Sequence, residues 1–297
     1  MQNPFWHYHS TFDAEAVVRA HTVETPTPRD GLFVNFLDVA VDPIIYPPAL
    51  SGRGGTVEAP PLPQNWHADL AEWGAALRAV DLSGDRFTMI ELGCGWGCWM
   101  NNMGAAARRS GRAVKLIGVE GDPGHVQFAK DALARNGFDD AEWTLINGIG
   151  AGVEGTALFP RQEQAGDSWG LEPVFGATQE QLAAAEASGA FQILPMISLR
   201  DITGPHERID LLHIDIQGGE ADLVAACLDV MSEKVAFVVI GTHSREIEGR
   251  LFDIFLRAGW ALDMERPAIL TLAHGDPMVT VDGLQGWRNP RLLSLQV

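Results

Sequence analysis

The chain has 297 residues, 46% of them hydrophobic, and a formal net charge of −18. That is enough apolar material for a sizeable core in one decorated α/β domain, and its acidity excludes nucleic acid as a partner, because phosphate surfaces call for a basic face. No apolar run nears the roughly eighteen residues of a membrane span, and three cysteines supply no disulfide framework and fit a reducing compartment.

The N-terminal MQNPFWHYHSTFDAE has neither the basic start nor the apolar core of a secretory signal, so a soluble, cytoplasmic protein is expected. Residues 1–63, dense in Pro and Gly, read as an irregular extension ending in a proline-rich connector. His7 and His9 there are open to a role in a pocket lid or to none. Residues 64–297 read as the main domain. Asn65 is the expected N-cap of a helix whose apolar face carries Trp66, Leu70, Trp73, Leu77 and Val80. Strands and helices then alternate. FTMIEL (87–92), KLIGVE (115–120), AEWTLINGIG, IDLLHIDIQG (209–218) and VAFVVIGTH (235–243) read as strands. The segments between are amphipathic helices, one of them closed by Gly137. About residues 152–192 form an insertion containing the helix TQEQLAAAEAS, and the tail reads as short strands in an antiparallel pair. This pattern predicts a mostly parallel, doubly wound Rossmann-like sheet. The ligand is then expected beyond the carboxyl ends of the strands. The insertion and the extension are expected to border the acceptor side of that pocket.

The segment ELGCGWG places Gly93, Gly95 and Gly97 after the first of these strands, with Glu91 ahead of them. A tight βα turn alone accounts for glycines. Glu120, ending the next strand, adds a carboxylate where a ribose would be held. The G-x-G-x-G spacing is one residue shorter than the nicotinamide fingerprint. A carboxylate at Glu91 suits a ligand carrying an ammonium and a sulfonium better than a pyrophosphate.

The E-L-G-x-G-x-G pattern resembles motif I of the class I S-adenosylmethionine-dependent methyltransferases. DLLHIDIQGGEADLV and LINGIGAGVEGTALF are similar to the fourth- and third-strand segments of the FkbM-type methyltransferase family. The likeness covers about residues 87–160 and 197–260, and departs at Gln217 and at IGTHS. The resemblance implies O-methylation of a saccharide or a related secondary metabolite with S-adenosylmethionine. It places Glu91, Gly93, Gly95 and Gly97 around the methionine part and Glu120 on the ribose. Asn147 and Gly148 would lie beside the adenine and Asp215 next to the methyl group.

Methyl transfer to a hydroxyl needs in-line positioning and a destination for the proton. Asp215 and His243 end neighbouring strands, so both can reach one acceptor. Three roles stay open: His243 as general base supported by Asp215, the two as ligands of a divalent cation such as Mg²⁺ or Mn²⁺, or positioning alone. His213 points to the same face and reads as pocket or core. Glu220 reads as a carboxylate favoured at any helix start. Cys94 and Cys98 lack a second ligand pair for zinc. Trp66, Trp73, Trp96, Trp99 and Trp169 are candidates for a sugar-stacking wall or for core. Two rival readings are a nicotinamide-dependent oxidoreductase and a non-catalytic binding module. A small-molecule or saccharide acceptor is the expected partner, and a homo-oligomer is compatible with the composition.

Overall fold

The computed structural model describes residues 8–273 and 275–293. His7 lies outside the described residues. The chain opens with β1 (His9–Ser10), α1 (Ala14–His21), β2 (Phe33–Val34), β3 (Ala40–Val41), a 3₁₀ turn at Pro43–Ile45 and α2 (Pro47–Leu50). Helix α3 (Leu70–Asp81) leads into the alternating part: β4 (Arg86–Leu92), α4 (Cys98–Arg109), β5 (Ala113–Glu120), α5 (Pro123–Arg135) and β6 (Trp143–Asn147). An interruption follows, made of β7 (Ile149–Ala151), β8 (Gly155–Pro160), α6 (Gln179–Ser188), β9 (Phe191–Ser198) and α7 (Leu199–Thr203). The alternation resumes with β10 (Leu211–Ile214), α8 (Glu220–Lys234), β11 (Phe237–Thr242), α9 (Arg245–Arg257) and β12 (Ala261–Arg266). The hairpin β13 (Ile269–Ala273) and β14 (Asp276–Val281) precedes the last strand, β15 (Gly283–Arg288).

Eight of these strands form one sheet in the order β1-β12-β15-β11-β10-β4-β5-β6. The pairs β11–β10, β10–β4, β4–β5 and β5–β6 are parallel. At the other edge β15 runs antiparallel to both β11 and β12, and β1 antiparallel to β12. From β4 the chain winds outward to β6, then returns to β10 and winds the other way. The order therefore reverses between β4 and β10, whose carboxyl ends carry Gly93 and Asp215. Within the strands, alternate residues feed opposite faces. Phe87, Met89, Leu116, Leu211, Phe237 and Val239 pack with α3 and α4 on one face. Ile90, Leu92, Ile117, Leu212, Ile214, Val238 and Ile240 pack with α8 and α9 on the other. Double burial explains why these strands read as continuous apolar runs.

Residues before 64 join this architecture. Val18, Phe33, Phe36, Leu37, Val41, Ile45 and Leu50 are buried in the core that α3 and α4 share, and β1 extends the sheet edge. The insertion forms its own small sheet, β7-β9-β8. Among the described residues no helix is long and apolar enough to cross a membrane.

One expected boundary moves. Helix α3 starts at Leu70 with Asp69 as N-cap, its side chain accepting from the Glu72 N–H. Asn65 instead closes a local turn, its Oδ1 accepting from the N–H groups of His67 and Ala68 and from the Trp73 indole. An Asn side chain competes for nearby backbone donors in this way and postpones the helix. The shift matters for the site, because it releases Trp66 and His67 from the helix.

Candidate active site

At the switch point the carboxyl ends of β4, β5, β10 and β11 open into a cavity of about 640 Å³. Gly93 takes φ +75°, and a Cβ there would lie 1.9 Å from the Asp215 carbonyl oxygen, so the crossing of the two strand ends requires glycine. Gly95, with φ +52°, presents a bare face to the Trp169 ring of the insertion, 3.2 Å from where its Cβ would be. Glu120 holds this loop in shape. Its Oε2 accepts from the Gly95 N–H and its Oε1 from the Asp122 N–H, both at 2.8 Å. The carboxylate remains on the cavity wall beside His125, which stacks flat on Trp169 with centroids 4.1 Å apart. Glu91 is 2% exposed and accepts from the N–H groups of Trp99 and Met100, at 3.3 and 2.8 Å. It thereby serves the start of α4, whose N-cap Gly97 has no side chain to do so. Burial pushes its pKa up to about 8, outweighing those donors. Burial thus favours the neutral carboxyl over the anion.

Two sequence-derived assignments are corrected here, and the state of a third is specified. Gly97 does not line the cavity; it faces α5, where a Cβ would meet Ala129 at 3.3 Å. Asn147 does not line it either. Its amide donates to the carbonyls of Glu120 and Gly121, so it ties β6 to the end of β5, and the wall at this point is Gly148, Ile149 and Gly150. Glu91 lines the cavity but is a buried helix cap rather than an open anion.

Opposite the glycine loop, Asp215 and His243 meet as expected, with His243 Nε2 3.2 Å from Asp215 Oδ1. The sequence reading missed the third member. Glu220 is fully buried at the start of α8, and its Oε1 lies 2.8 Å from His243 Nδ1. It also accepts from the N–H groups of Ile216 and Gly218, at 3.3 and 3.0 Å. The signal was present in DIQGGE, but a carboxylate at a helix start is so ordinary that it hid this one. Burial opposes a charged imidazole, yet Asp215 and Glu220 outweigh it and push the His243 pKa up to about 10. Burial alone would raise Asp215, but the His243 hydrogen bond and charge hold it below the usual carboxylate range. The resting site is thus a carboxylate–imidazolium–carboxylate relay. An imidazolium has no lone pair for a proton, so His243 can serve as a base only after losing one.

Asp215, Glu220 and His243 offer ligand atoms within 4.8 Å of one another, a set that suits a divalent cation. The imidazole, however, stands between the carboxylates with one ring nitrogen on each. Each carboxylate is already engaged by one ring nitrogen, so a shared cation would have to displace these contacts.

The remaining wall comes from outside the alternating pattern. Residues 46 and 64–72 contribute Tyr46, Trp66, His67 and Glu72, and the insertion contributes Phe159, Trp169 and Leu171. Asp282 and Gly283 enter from the chain just before and at the start of β15. Tyr46, Trp66 and Trp96 form a near-parallel row, with successive centroids 6.0 and 6.2 Å apart. Trp99 stacks on His213 at 5.0 Å, and His213 Nε2 reaches Glu72 at 3.1 Å. His213 is therefore both core and cavity wall. Cys94 and Cys98 are buried thiols, raised well above their ordinary pKa by burial, and His9 sits in β1 at the sheet edge.

The strand order, with its antiparallel β15 and a glycine loop at the switch point, defines a Rossmann-like class I methyltransferase fold. No family model matches the chain. A protein of Jannaschia sp. (strain CCS1) named "Putative methyltransferase" is 44% identical over 267 residues, which are 90% of this chain and 95% of that one. The chain belongs to that methyltransferase family, which sets aside the oxidoreductase alternative. Among solved structures it is similar to the methyltransferase FkbM from Methylobacillus flagellatus KT, at 11% identity and a TM-score of 0.43 over 73% of this chain and 54% of that one. It is also similar to the human methyltransferase 10 domain containing protein, at 12% identity and a TM-score of 0.40 over 93% and 98%.

Proposed function

We propose that the chain is an S-adenosylmethionine-dependent O-methyltransferase acting on a hydroxyl of a saccharide or glycosylated secondary metabolite. The observation that carries this reading is a single cavity joining the Gly93–Gly95 loop and Glu120 to the Asp215–His243–Glu220 relay. Further support comes from the DIQGGE segment and its resemblance to the FkbM type.

When bound, S-adenosylmethionine supplies an electrophilic methyl group on a sulfonium. Glu120 would accept the ribose hydroxyls, and the backbone of Gly148 and Gly150 would line the wall beside the base. Gly93 and Gly95 would let the backbone approach the amino-acid end. On the other side Asp215, open to the cavity, would accept the hydrogen bond of the acceptor hydroxyl and aim its oxygen. That proton would pass through the Asp215 carboxylate to His243 Nε2, once this nitrogen has given up its own proton, while Glu220 keeps the Nδ1–H and fixes the ring. Residues 46–72 would form the acceptor-side walls, and the insertion, with Trp169 against Gly95 and His125, would cover the glycine loop.

Because His243 holds its second proton up to about pH 10, kcat/KM should climb with pH and level off near that value. The groups that set this are Asp215 from the end of β10 and Glu220 from α8; Asp282 before β15 faces the ring from further off, its Oδ2 4.0 Å from Nε2. Release of S-adenosylhomocysteine from S-adenosylmethionine, measured by mass spectrometry across a panel of hydroxylated sugars, tests the reading. Methylation at nitrogen or carbon in place of oxygen would overturn it.

A second reading, a divalent cation on Asp215, Glu220 and His243, rests on the 4.8 Å cluster. Activity abolished by a chelator and restored by Mg²⁺ or Mn²⁺ would favour it. Indifference to the chelator favours the relay.

A further inference from the structure

The acceptor side of the cavity is acidic beyond what its own partners balance. Six carboxyl groups line the whole cavity, Glu91 among them, against a single guanidinium and no lysine among the described residues. That guanidinium, Arg266, lies 2.6 Å from Asp69, a pair buried on both sides. Glu120 is engaged by the N–H groups of Gly95 and Asp122, and Glu91 by those of α4. Three carboxylates are left on the acceptor side: Glu72, Asp215 and Asp282. They share two imidazoles, His213 at 3.1 Å from Glu72, and His243 at 3.2 Å from Asp215 and 4.0 Å from Asp282, and the Arg266 charge also acts on Asp282. Even the His243 charge is already shared with the buried Glu220. Asp282 has 58% of its side chain accessible, while its carbonyl is fixed by the Arg266 guanidinium at 2.5 Å. Its backbone is held and its carboxylate is left facing the opening.

Exposed acids are unremarkable on a chain of this charge, and alone they would mean solubility. What changes the reading is the company they keep. The Tyr46–Trp66–Trp96 row and the Trp99 ring stand around His67 on the same cavity wall, with His67–Trp99 and His67–Trp66 centroids 5.7 and 5.2 Å apart. Burial lowers the His67 pKa and so disfavours its charged form. Aromatic faces bordered by carboxylates attract a cationic nitrogen, by the ring quadrupole on one side and by charge-assisted hydrogen bonds on the other. A phosphate or carboxylate on the acceptor would meet only repulsion from Glu72, Asp215 and Asp282.

We propose that the acceptor carries an ammonium group next to the methylated hydroxyl, seated between the Trp66–Trp96 wall and the carboxylates of Glu72 and Asp282. The acceptor class is then an amino sugar or amino-polyol in place of a neutral or phosphorylated saccharide. This rests on the reading of the same cavity as a methyl-transfer site.

The test uses the full chain and its intrinsic tryptophan fluorescence, with and without saturating S-adenosylhomocysteine. The probes are 2-amino-2-deoxyglucose, glucose and glucose 6-phosphate. The amino sugar is expected to bind about tenfold tighter than glucose or better, and the phosphate weakest. Asp282→Asn and Glu72→Gln should each shrink the preference while S-adenosylhomocysteine affinity stays at the wild-type value, which confirms folding. An equal response to glucose and the amino sugar, whether both bind or neither does, overturns the proposal. So does a preference for glucose 6-phosphate, or a preference untouched in both variants. Lack of S-adenosylhomocysteine binding would instead sink the methyl-transfer reading, and the amine preference would still be read from the titrations without it.

Discussion

The sides of the cavity that we assign to the cofactor and to the acceptor are built by different means. On the cofactor side, backbone does most of the shaping. The Gly93–Gly95 loop is locked between the Asp215 carbonyl and the Glu120 carboxylate, and the side chains involved are already hydrogen-bonded within the protein. On the acceptor side, side chains from four distant stretches converge. Trp66 and Glu72 come from before β4, Asp215 and Glu220 from around the end of β10, His243 from after β11, and Asp282 from before β15. Their carboxylates are incompletely balanced. The first side is a preformed mould that depends on local turn geometry. The second is an electrostatic arrangement that exists only once the sheet is closed.

That difference predicts which changes separate the two sides. The largest effect is expected at the relay. His243→Ala should lower turnover by about a hundredfold or more while leaving S-adenosylhomocysteine affinity unchanged, as read by steady-state kinetics beside calorimetry. Near-normal turnover would reduce His243 to a strand terminus. Glu220→Gln, which removes one of the two charges holding the second proton, should also bring the plateau of the pH profile down from about 10. An unmoved profile would show that the relay does not control the rate.

Next comes the mould. Gly93→Ala places a methyl group on the Asp215 carbonyl at a positive φ. It should cost about 3 kcal/mol of stability, read by urea denaturation, and weaken both sides together because both strand ends move. Wild-type stability would mean that the crossing is looser than described. A smaller effect is expected for Trp66→Ala, about 1 kcal/mol in acceptor binding with cofactor affinity intact. Loss of both affinities would place Trp66 in the shared scaffold.

The smallest effect is on stability against pH. Glu91 has its folded pKa raised from 4.5 to about 8. Below about 4.5 the carboxyl is protonated whether the chain is folded or unfolded, so it adds no pH dependence. As pH rises through the interval up to about 8, the unfolded chain loses the proton that the folded chain keeps, and stability falls. Glu91→Gln should therefore gain on the wild type across this interval and hold a constant advantage above it. A parallel pair of stability curves would contradict the burial argument.

The same contrast explains what could be read from the sequence. The parallel sheet was legible because double burial writes itself as apolar runs and helices as periodic faces. The glycine loop and Glu120 were legible because a βα turn and a strand end are local features. Gly97 and Asn147 were misassigned because position in a motif does not say which way an atom faces. Gly97 turns to Ala129 and Asn147 back to the end of β5. Trp66 and His67 were placed on a helix because the Asn65 turn looks like a cap one turn early. Glu72 and Asp282 carried no sequence signal as a pair, since only the closed sheet brings them to one cavity. Glu220 had a signal, masked by the commoner role of a carboxylate at a helix start.

The central claim, that the mould receives an S-adenosyl cofactor, is tested most directly by calorimetric titration of the full chain with S-adenosylhomocysteine. The account predicts one saturable site, weakened by about 1–3 kcal/mol in Glu120→Ala, the cost of removing a charged hydrogen-bonding partner. Absence of heat with S-adenosylhomocysteine, together with saturable binding of a nicotinamide dinucleotide, would contradict it.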